Sequence, residues 1–312
     1  MRFRALWLLA MAALGTIVML VSGAMAEPEI VRIIAPGIWF RQGDSEQGHC
    51  NNIIIEMKDY LIVVDANYPG GAKGTMSDVK RISPKPVKYV FDTHHHGDHS
   101  YGNALWTQAG ATTLAFQGVA DEMQRFEPGR WQAAAKKRDD MAGMQSDGPE
   151  PPKQLIKEDR YVLNDGSRKV EFYHFGWGHT RGDGFVYIPK EQVLCTGDAV
   201  VNGPHNNFMD ANIANWPETL RQAAKLKVKY VLPGHGQPGG RDLITGQADF
   251  LEAVYKAVKD GVDQGKTMED IQASIHLPED VGAWVGDSLI KRQVSDTYQE
   301  IKQGKPRGDL PH

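Results

Sequence analysis

One short run limits this chain more than any other. Thr93-His94-His95-His96-Gly97-Asp98-His99 follows directly on an apolar stretch at residues 87–92. A short apolar run bounded by turn residues reads as a buried strand. A buried strand that ends in four imidazoles and a carboxylate delivers a dense set of nitrogen and oxygen donors to one place. Those are the donors that zinc takes, alongside cysteine. Written as ligands, the run is H-x-H-x-D-H. His94 and His96 stand two apart in extended chain and can point to one side. Gly97 lets the chain turn tightly, so Asp98 and His99 can serve a neighbouring position. The spacing therefore offers two ligands to one metal and two to a second. His95, between the pair, is expected to point away.

Further ligands are sought by the same logic, where a strand meets a loop beside glycine. His179 lies in Gly178-His179-Thr180, just after a strand-like run at 170–175. Asp198 ends Leu194-Cys195-Thr196-Gly197-Asp198, and His235 sits in Pro233-Gly234-His235-Gly236. The chain has 11 histidines and only two cysteines, too few cysteines for a cysteine-rich zinc module. Cys195 falls on the strand before Asp198 and reads as core, and both cysteines are expected to stand outside the chemistry. His49, His174, His276 and His312 read as ordinary surface or core residues. With 41% hydrophobic and 24% charged residues, the composition excludes disorder and fibrous repeats. A formal charge of −4 argues against nucleic acid or an anionic membrane as main partner and leaves a small molecule.

Residues 1–26 read as an address. Arg2 and Arg4 precede an apolar run to Val21, and Ala24-Met25-Ala26 has a small-x-small cleavage pattern. This is the form of a secretory signal peptide cut near Ala26, which implies an exported, periplasmic protein free of the membrane after cleavage. Beyond it, strand signals fall at 37–41, 52–57, 60–64, 87–92 and 112–116, then at 170–175, 184–188, 192–195 and 229–232. Lys58-Asp59 and Pro189-Lys190-Glu191 mark hairpins. Helical patterns fall at about 117–125, 216–226, 242–262 and 287–302. Mixed α/β is what the periodicity establishes, and two β-rich blocks that each end near His or Asp suggest a four-layer αββα sandwich. The catalytic domain is expected at 27–240, with an insertion at 126–157 that is partly helical and then loop, serving as a surface excursion or a lid. Residues 241–312 are expected to form a helical region completing or covering that domain.

The ordered set H-x-H-x-D-H, G-H-T, T-G-D and G-H-G resembles the metallo-β-lactamase superfamily, over residues of about 30 to 240. The resemblance implies the αββα fold and a binuclear zinc site, although iron or manganese also suit nitrogen and oxygen donors. It implies that His94, His96 and His179 hold the first metal, that Asp98, His99 and His235 hold the second, and that Asp198 bridges them. Asp98 is also the expected catalytic carboxylate, orienting the attacking metal-bound hydroxide. Asp65, in Val63-Val64-Asp65-Ala66, matches the family's buried acid after the hairpin and is expected to orient the ligand loop. Thr180 and Asp183 are candidates for hydrogen bonds to ligands, and His205 and Asn206 for substrate contact. Trp216 reads as the core side of a helix.

Zinc β-lactamases of the superfamily generally carry Cys or Ser where this chain has Asp198. The bridging aspartate looks more like glyoxalase II, the lactonases and other general hydrolases. Only 37 positions separate Asp198 from His235, too few for the large insertion of the superfamily's nucleases. The stretch from Asp198 through Asn202-Gly203 to Trp216, with Asp210 between, looks like exported members described as quinoprotein-relay or SoxH-like hydrolases. The expectation is a zinc-dependent hydrolase of small ester, lactone or thioester substrates, with β-lactam hydrolysis as the alternative. A different class is a metal-binding accessory protein of a periplasmic redox or sulfur pathway.

Overall fold

Alternation along the strands decides the architecture. In the run Ile53-Ile54-Ile55, the first and third side chains join one apolar cluster and the middle one joins another; Leu61 to Val64 divides the same way. Strands buried on both faces need cover on both sides. The computed structural model describes residues 31–142, 144 and 148–311. The expected signal segment at 1–26 lies outside the described residues. Among them, no helix is long and apolar enough to cross a membrane.

The first sheet takes its strands in chain order: β1 (Val31–Ala35), β2 (Ile38–Arg41), β3 (Asn52–Glu56), β4 (Leu61–Val64), β5 (Val87–Phe91), β6 (Thr112–Phe116) and β7 (Gln154–Ile156). It is antiparallel up to β4 and parallel from β4 to β7. The second sheet holds β8 (Arg160–Asn164), β9 (Lys169–Tyr173), β10 (Phe185–Ile188), β11 (Val193–Gly197) and β12 (Tyr230–Pro233). Only its β11–β12 pair is parallel. Between the sheets, Phe40, Ile53, Ile55, Val64 and Phe91 meet Phe172, Val186, Ile188 and Leu232. Each such side chain contributes about 1.5–3 kcal/mol on full burial.

Helices close both outer faces. On the first sheet, α1 (Pro69–Ile82) and α3 (Asn103–Gln108) bring Ala72, Val79 and Trp106 onto Ile54, Leu61, Val63 and Val90. The short α2 (Gly97–Ser100) and the longer α4 (Gln117–Ala135) lie at the strand ends. On the second sheet, α5 (Trp216–Ala223), α6 (Asp242–Asp263), α7 (Met268–Ser274) and α8 (Asp287–Gln303) complete the outer layer. There Trp216, Leu220, Ile244, Leu251 and Val294 pack on Phe185, Leu194 and Val231. The result is helix, sheet, sheet, helix: the αββα sandwich.

Three local differences from the sequence reading have physical causes. Helix α1 carries Gly70, Gly71 and Gly74, and each interior glycine costs a helix roughly 1 kcal/mol relative to alanine. Packing requires the small residue, since a Cβ on Gly71 would stand 2.1 Å from Asn67 Oδ1. The edge strands β1 and β8 are half-exposed along most of their length, which blurs the period-2 signal. In the stretch 126–157 the helical part is the continuation of α4 past Pro128 to Ala135, and β7 adds a parallel strand beside β6 where loop was expected.

Candidate metal centre

Because β4 runs parallel to β5 and β11 to β12, the residues after these four strands gather at one rim. They form two adjoining groups. In the first, His94, His96 and His179 bring their ligand nitrogens within 4.8 Å of one another. His94 Nε2 lies 3.1 Å from His96 Nδ1, and His179 Nε2 lies 3.2 Å from that same atom. In the second, Asp98, His99, Asp198 and His235 do likewise. His99 Nε2 is 3.3 Å from both Asp98 Oδ2 and Asp198 Oδ1, and His235 Nε2 is 2.9 Å from Asp98 Oδ2. Asp198 is grouped with the second set, while its charge also reaches His179.

Four of the five ligand rings, those of His94, His96, His99 and His179, are fixed by a bond to the far nitrogen. His94 Nδ1 meets Thr93 Oγ1 at 3.1 Å, and His179 Nδ1 meets the Asn207 carbonyl at 3.0 Å. His99 Nδ1 meets Asp65 Oδ2 at 2.9 Å, while Asp65 Oδ1 accepts the Thr93 amide at 2.8 Å. One buried carboxylate thus ties the ring of one group to the loop of the other. Asp65 itself has φ +68°, a backbone conformation that aspartate tolerates better than most residues. Asn52 Nδ2 donates to the Asp65 carbonyl at 2.7 Å and helps to hold it. A Cβ on Gly234 would come within 2.1 Å of Asp198 Oδ1, so the chain before His235 passes directly over that carboxylate.

The donor chemistry fits metal ions. Burial, then the neighbouring imidazolium charges, hold His94 well below its ordinary range, and His179 falls to about 3 for the same reasons. Both rings are neutral at physiological pH. Nearby carboxylates outweigh burial at His96, His99 and His235 and raise them above the ordinary value, so those rings would release protons on taking up a metal, as ligand histidines must. Burial alone would raise Asp98 and Asp198, but His99 and His235 outweigh it and keep both carboxylates ionised. His99 Nε2 and Asp198 Oδ1 face each other, yet both are buried without a hydrogen bond. Orphaned buried donors and acceptors cost about 1–3 kcal/mol each, and a cation between them removes that penalty.

Other expected residues are placed differently. The side-chain hydrogen bonds of Thr180 and Asp183 run to each other rather than to a ligand ring, and so Thr180 and Asp183 stand one step back from the metal ligands. Asp183 Oδ1 accepts from the Thr180 amide and hydroxyl at 2.9 and 2.7 Å and so shapes the turn that carries His179. His205 is exposed, with its ring 5.7 Å from that of His235. Asn206 is 2% exposed and lines a cavity against α8. Cys50 is not remote from the chemistry: its sulfur lies with Asp65 and His99, and burial pushes the thiol up to about 12. Trp216 is core, as its helical pattern suggests, and its ring also lies 5.2 Å from that of His179.

In the sequence Asp210 stands out only as part of the Asp198–Trp216 stretch, with no role of its own. It is fully buried and lies 2.7 Å from His96 Nε2 and 3.1 Å from His95 Nε2. Arg130, on α4, grips it with two bonds of 2.7 and 2.8 Å. His95 does turn from the ligand cluster, toward this same carboxylate. No spacing rule could reveal the pair, since 80 positions separate Arg130 from Asp210. The one available signal was an acidic residue between Asp198 and Trp216.

Comparison with known proteins agrees with this geometry. The family model of the Metallo-beta-lactamase superfamily matches residues 45–235, a stretch that contains both groups. A metallo-beta-lactamase type 2 of Bacillus cereus is 26% identical over 210 residues, covering 65% of this chain and 73% of its own. A hydroxyacylglutathione hydrolase of Pelagibacter ubique is 23% identical over 151 residues, 47% of this chain and 49% of its own. Among solved structures, the metallo-beta-lactamase FIM-1 of Pseudomonas aeruginosa in its mono-zinc form shares the fold, with a TM-score of 0.58 and 22% identity over 71% of this chain and 94% of the other. Sheet order, ligand-type residues at the strand ends and the family match together lead to one conclusion: the chain belongs to the metallo-β-lactamase superfamily.

Proposed function

We propose that this protein is a metal-dependent hydrolase with a binuclear zinc centre, acting on a small ester, lactone or thioester. The observation that carries the proposal is the pair of adjoining donor groups, made wholly of nitrogen and oxygen, with far-side partners that fix the rings of His94, His96, His99 and His179. Zinc would be held by His94, His96 and His179 and by Asp98, His99 and His235, with Asp198 between; iron and manganese accept the same donors. Such ions supply Lewis acidity and lower the pKa of a bound water.

The chain's own residues divide the remaining work. Asp98 has the more open of the two carboxylates, its side chain 20% exposed against 10% for Asp198. It is the one that can orient an incoming water by accepting its proton in a hydrogen bond. Exposed His205, beside His235, is placed to donate to a substrate oxygen. Asp65 and Asp210 position rings and touch no substrate. With an aspartate at 198 where the β-lactamases of the family generally carry cysteine or serine, small esters and thioesters come first. The named β-lactamase relatives support β-lactam hydrolysis as a second reading. The signal-peptide pattern of residues 1–26 supports a periplasmic setting.

The test is a substrate panel of nitrocefin, aryl esters, lactones and S-lactoylglutathione, run on zinc-loaded and chelator-treated protein. Zinc-dependent turnover of an ester, lactone or thioester is expected. Faster zinc-dependent turnover of nitrocefin would reverse the order of the two readings. Failure of the reconstituted protein to bind any metal would overturn both.

A further inference from the structure

One loop backs two of the three rings in the first donor group. Its Asn207 carbonyl meets His179 Nδ1 at 3.0 Å, and its Asp210 carboxylate meets His96 Nε2 at 2.7 Å. Residues 206–215 belong to no helix or strand, so the course of this loop depends on what holds it. Some ties run to the turn before His179: the Asn212 amide donates to the Gly178 carbonyl at 3.0 Å, and Trp177 Nε1 to the Asp210 carbonyl at 2.9 Å. The others come from the C-terminal region, well past His235, the last ligand in the chain. Gln293 and Glu300 stand seven positions apart on α8, a spacing that puts both on one face of a helix. They are 1% and 4% exposed. Gln293 Nε2 donates to the Asn206 carbonyl at 2.9 Å, and Glu300 accepts the amides of Ile213 at 3.0 Å and Ala214 at 2.7 Å. Glu300 also accepts the Arg307 amide at 2.8 Å, so one carboxylate joins the loop to the tail that follows α8. In that tail the Gly308 amide donates to the Ala211 carbonyl at 2.9 Å. The fit is close: a Cβ on Gly308 would stand 2.6 Å from the Asp210 carbonyl oxygen.

We propose that Glu300 and Gly308 are positioning residues for the first donor group: they seat the 206–214 loop so that Asp210 and the Asn207 carbonyl turn His96 and His179 toward one point. The inference rests on the reading of the metal centre given above. Buried backbone N–H groups must be paired, but a buried carboxylate is a costly partner unless its own oxygens are satisfied. Both oxygens of Glu300 accept backbone N–H bonds, and two of the three amides belong to the loop that backs the rings. Elsewhere α8 docks by apolar contact, with Val294 packed in the outer core of the second sheet. Loss of helix packing and loss of loop position can therefore be separated by substitution on the same helix.

The experiment is zinc competition with a chromophoric chelator, resolved into two sites, on the full chain and on Glu300→Gln, Gly308→Ala and Val294→Ala, together with a metal-free crystal structure of each. Glu300→Gln keeps the size of the side chain but turns one acceptor into an NH2 that faces backbone N–H. Gly308→Ala pushes directly on the Asp210 backbone. In both, affinity at the group of His94, His96 and His179 should fall about tenfold, the lower end of the range for disturbing an outer partner of a ligand histidine, while the other group keeps its affinity. Val294→Ala should lower Tm and leave both affinities unchanged. In the metal-free crystals the 2.7 Å contact of Asp210 with His96 should open beyond hydrogen-bond range in Glu300→Gln and Gly308→Ala and persist in Val294→Ala. An unchanged contact in both of the first two variants would overturn the proposal, whether or not the protein binds zinc. So would an equal loss of affinity at both groups, or an equal loss in Val294→Ala, since either would reduce the two residues to general stability. A wild-type chain that took up no zinc, with the contact still opening in the variants, would support the positioning and overturn the reading of the metal centre instead.

Discussion

Replacing Asp210 by asparagine isolates the support of the first donor group. The carboxylate is fully buried and held well below the usual range, because Arg130, His95 and His96 together outweigh the cost of burial. Asp210→Asn keeps the shape and one acceptor for His96 Nε2 but removes the charge that strengthens that bond and holds the ring. Mutation of an outer partner of a metal-binding histidine typically costs 10–100-fold in affinity, or about 1.4–2.8 kcal/mol. The loss should fall on the group formed by His94, His96 and His179. Its neighbour, supported by Asp65, should keep its affinity within about twofold. Arg130→Met asks a different question, since it leaves the buried carboxylate without its cation. Breaking such a pair costs about 3–5 kcal/mol. The Arg130 side chain is 25% exposed, so water replaces part of the contact and about 3 kcal/mol is expected, a fall in Tm on the order of 10 °C. Zinc competition with a chromophoric chelator, resolved into two sites, reads the first variant, and calorimetric melting reads the second. Unchanged affinity at both sites in Asp210→Asn, with Tm lowered, would refute the positioning role and leave Asp210 a purely structural anchor.

Gly234→Ala would drive a methyl group into Asp198 Oδ1, so zinc stoichiometry should fall from two toward one while the fold, read by circular dichroism, persists; two ions bound at wild-type affinity would contradict the geometry. Asp78 takes a 2.6 Å bond from Arg41 Nε and a second from Arg81. Burial opposes its charge, but these bonds overcome it and depress the folded pKa. Its contribution, about 1 kcal/mol, is therefore full above the unfolded value of about 3.9 and is lost as pH falls through the lower folded value. Denaturant melts of Asp78→Asn should show the deficit at pH 7, with the gap to the wild type narrowing only as the pH falls below about 3.9.

The two hairpins and the seven ligand-type residues were legible in the chain, because each leaves a local mark; the αββα layering was implied by the family resemblance. A buried strand shows as a β-branched run, and a ligand at a strand end shows as His or Asp beside glycine. Helix α1 was hidden because its glycines serve close packing against Asn67, a contact that does not exist until the sheet has formed. The role of 126–157 was hidden for a similar reason: Arg130 acquires meaning only when α4 crosses to Asp210. Sequence read Thr180 and Asp183 as partners of the ligands, whereas the fold gives that work to the Asn207 carbonyl, a backbone group that no sequence pattern marks. Nor does the sequence mark Cys50 as a neighbour of His99. By itself, then, the sequence determined which donors exist and which strands deliver them, since hydrophobic alternation and ligand type are local properties. Only the tertiary structure decided which partners turn each ring, because buried carboxylates and carbonyls find their partners through sheet packing, across separations of tens of residues.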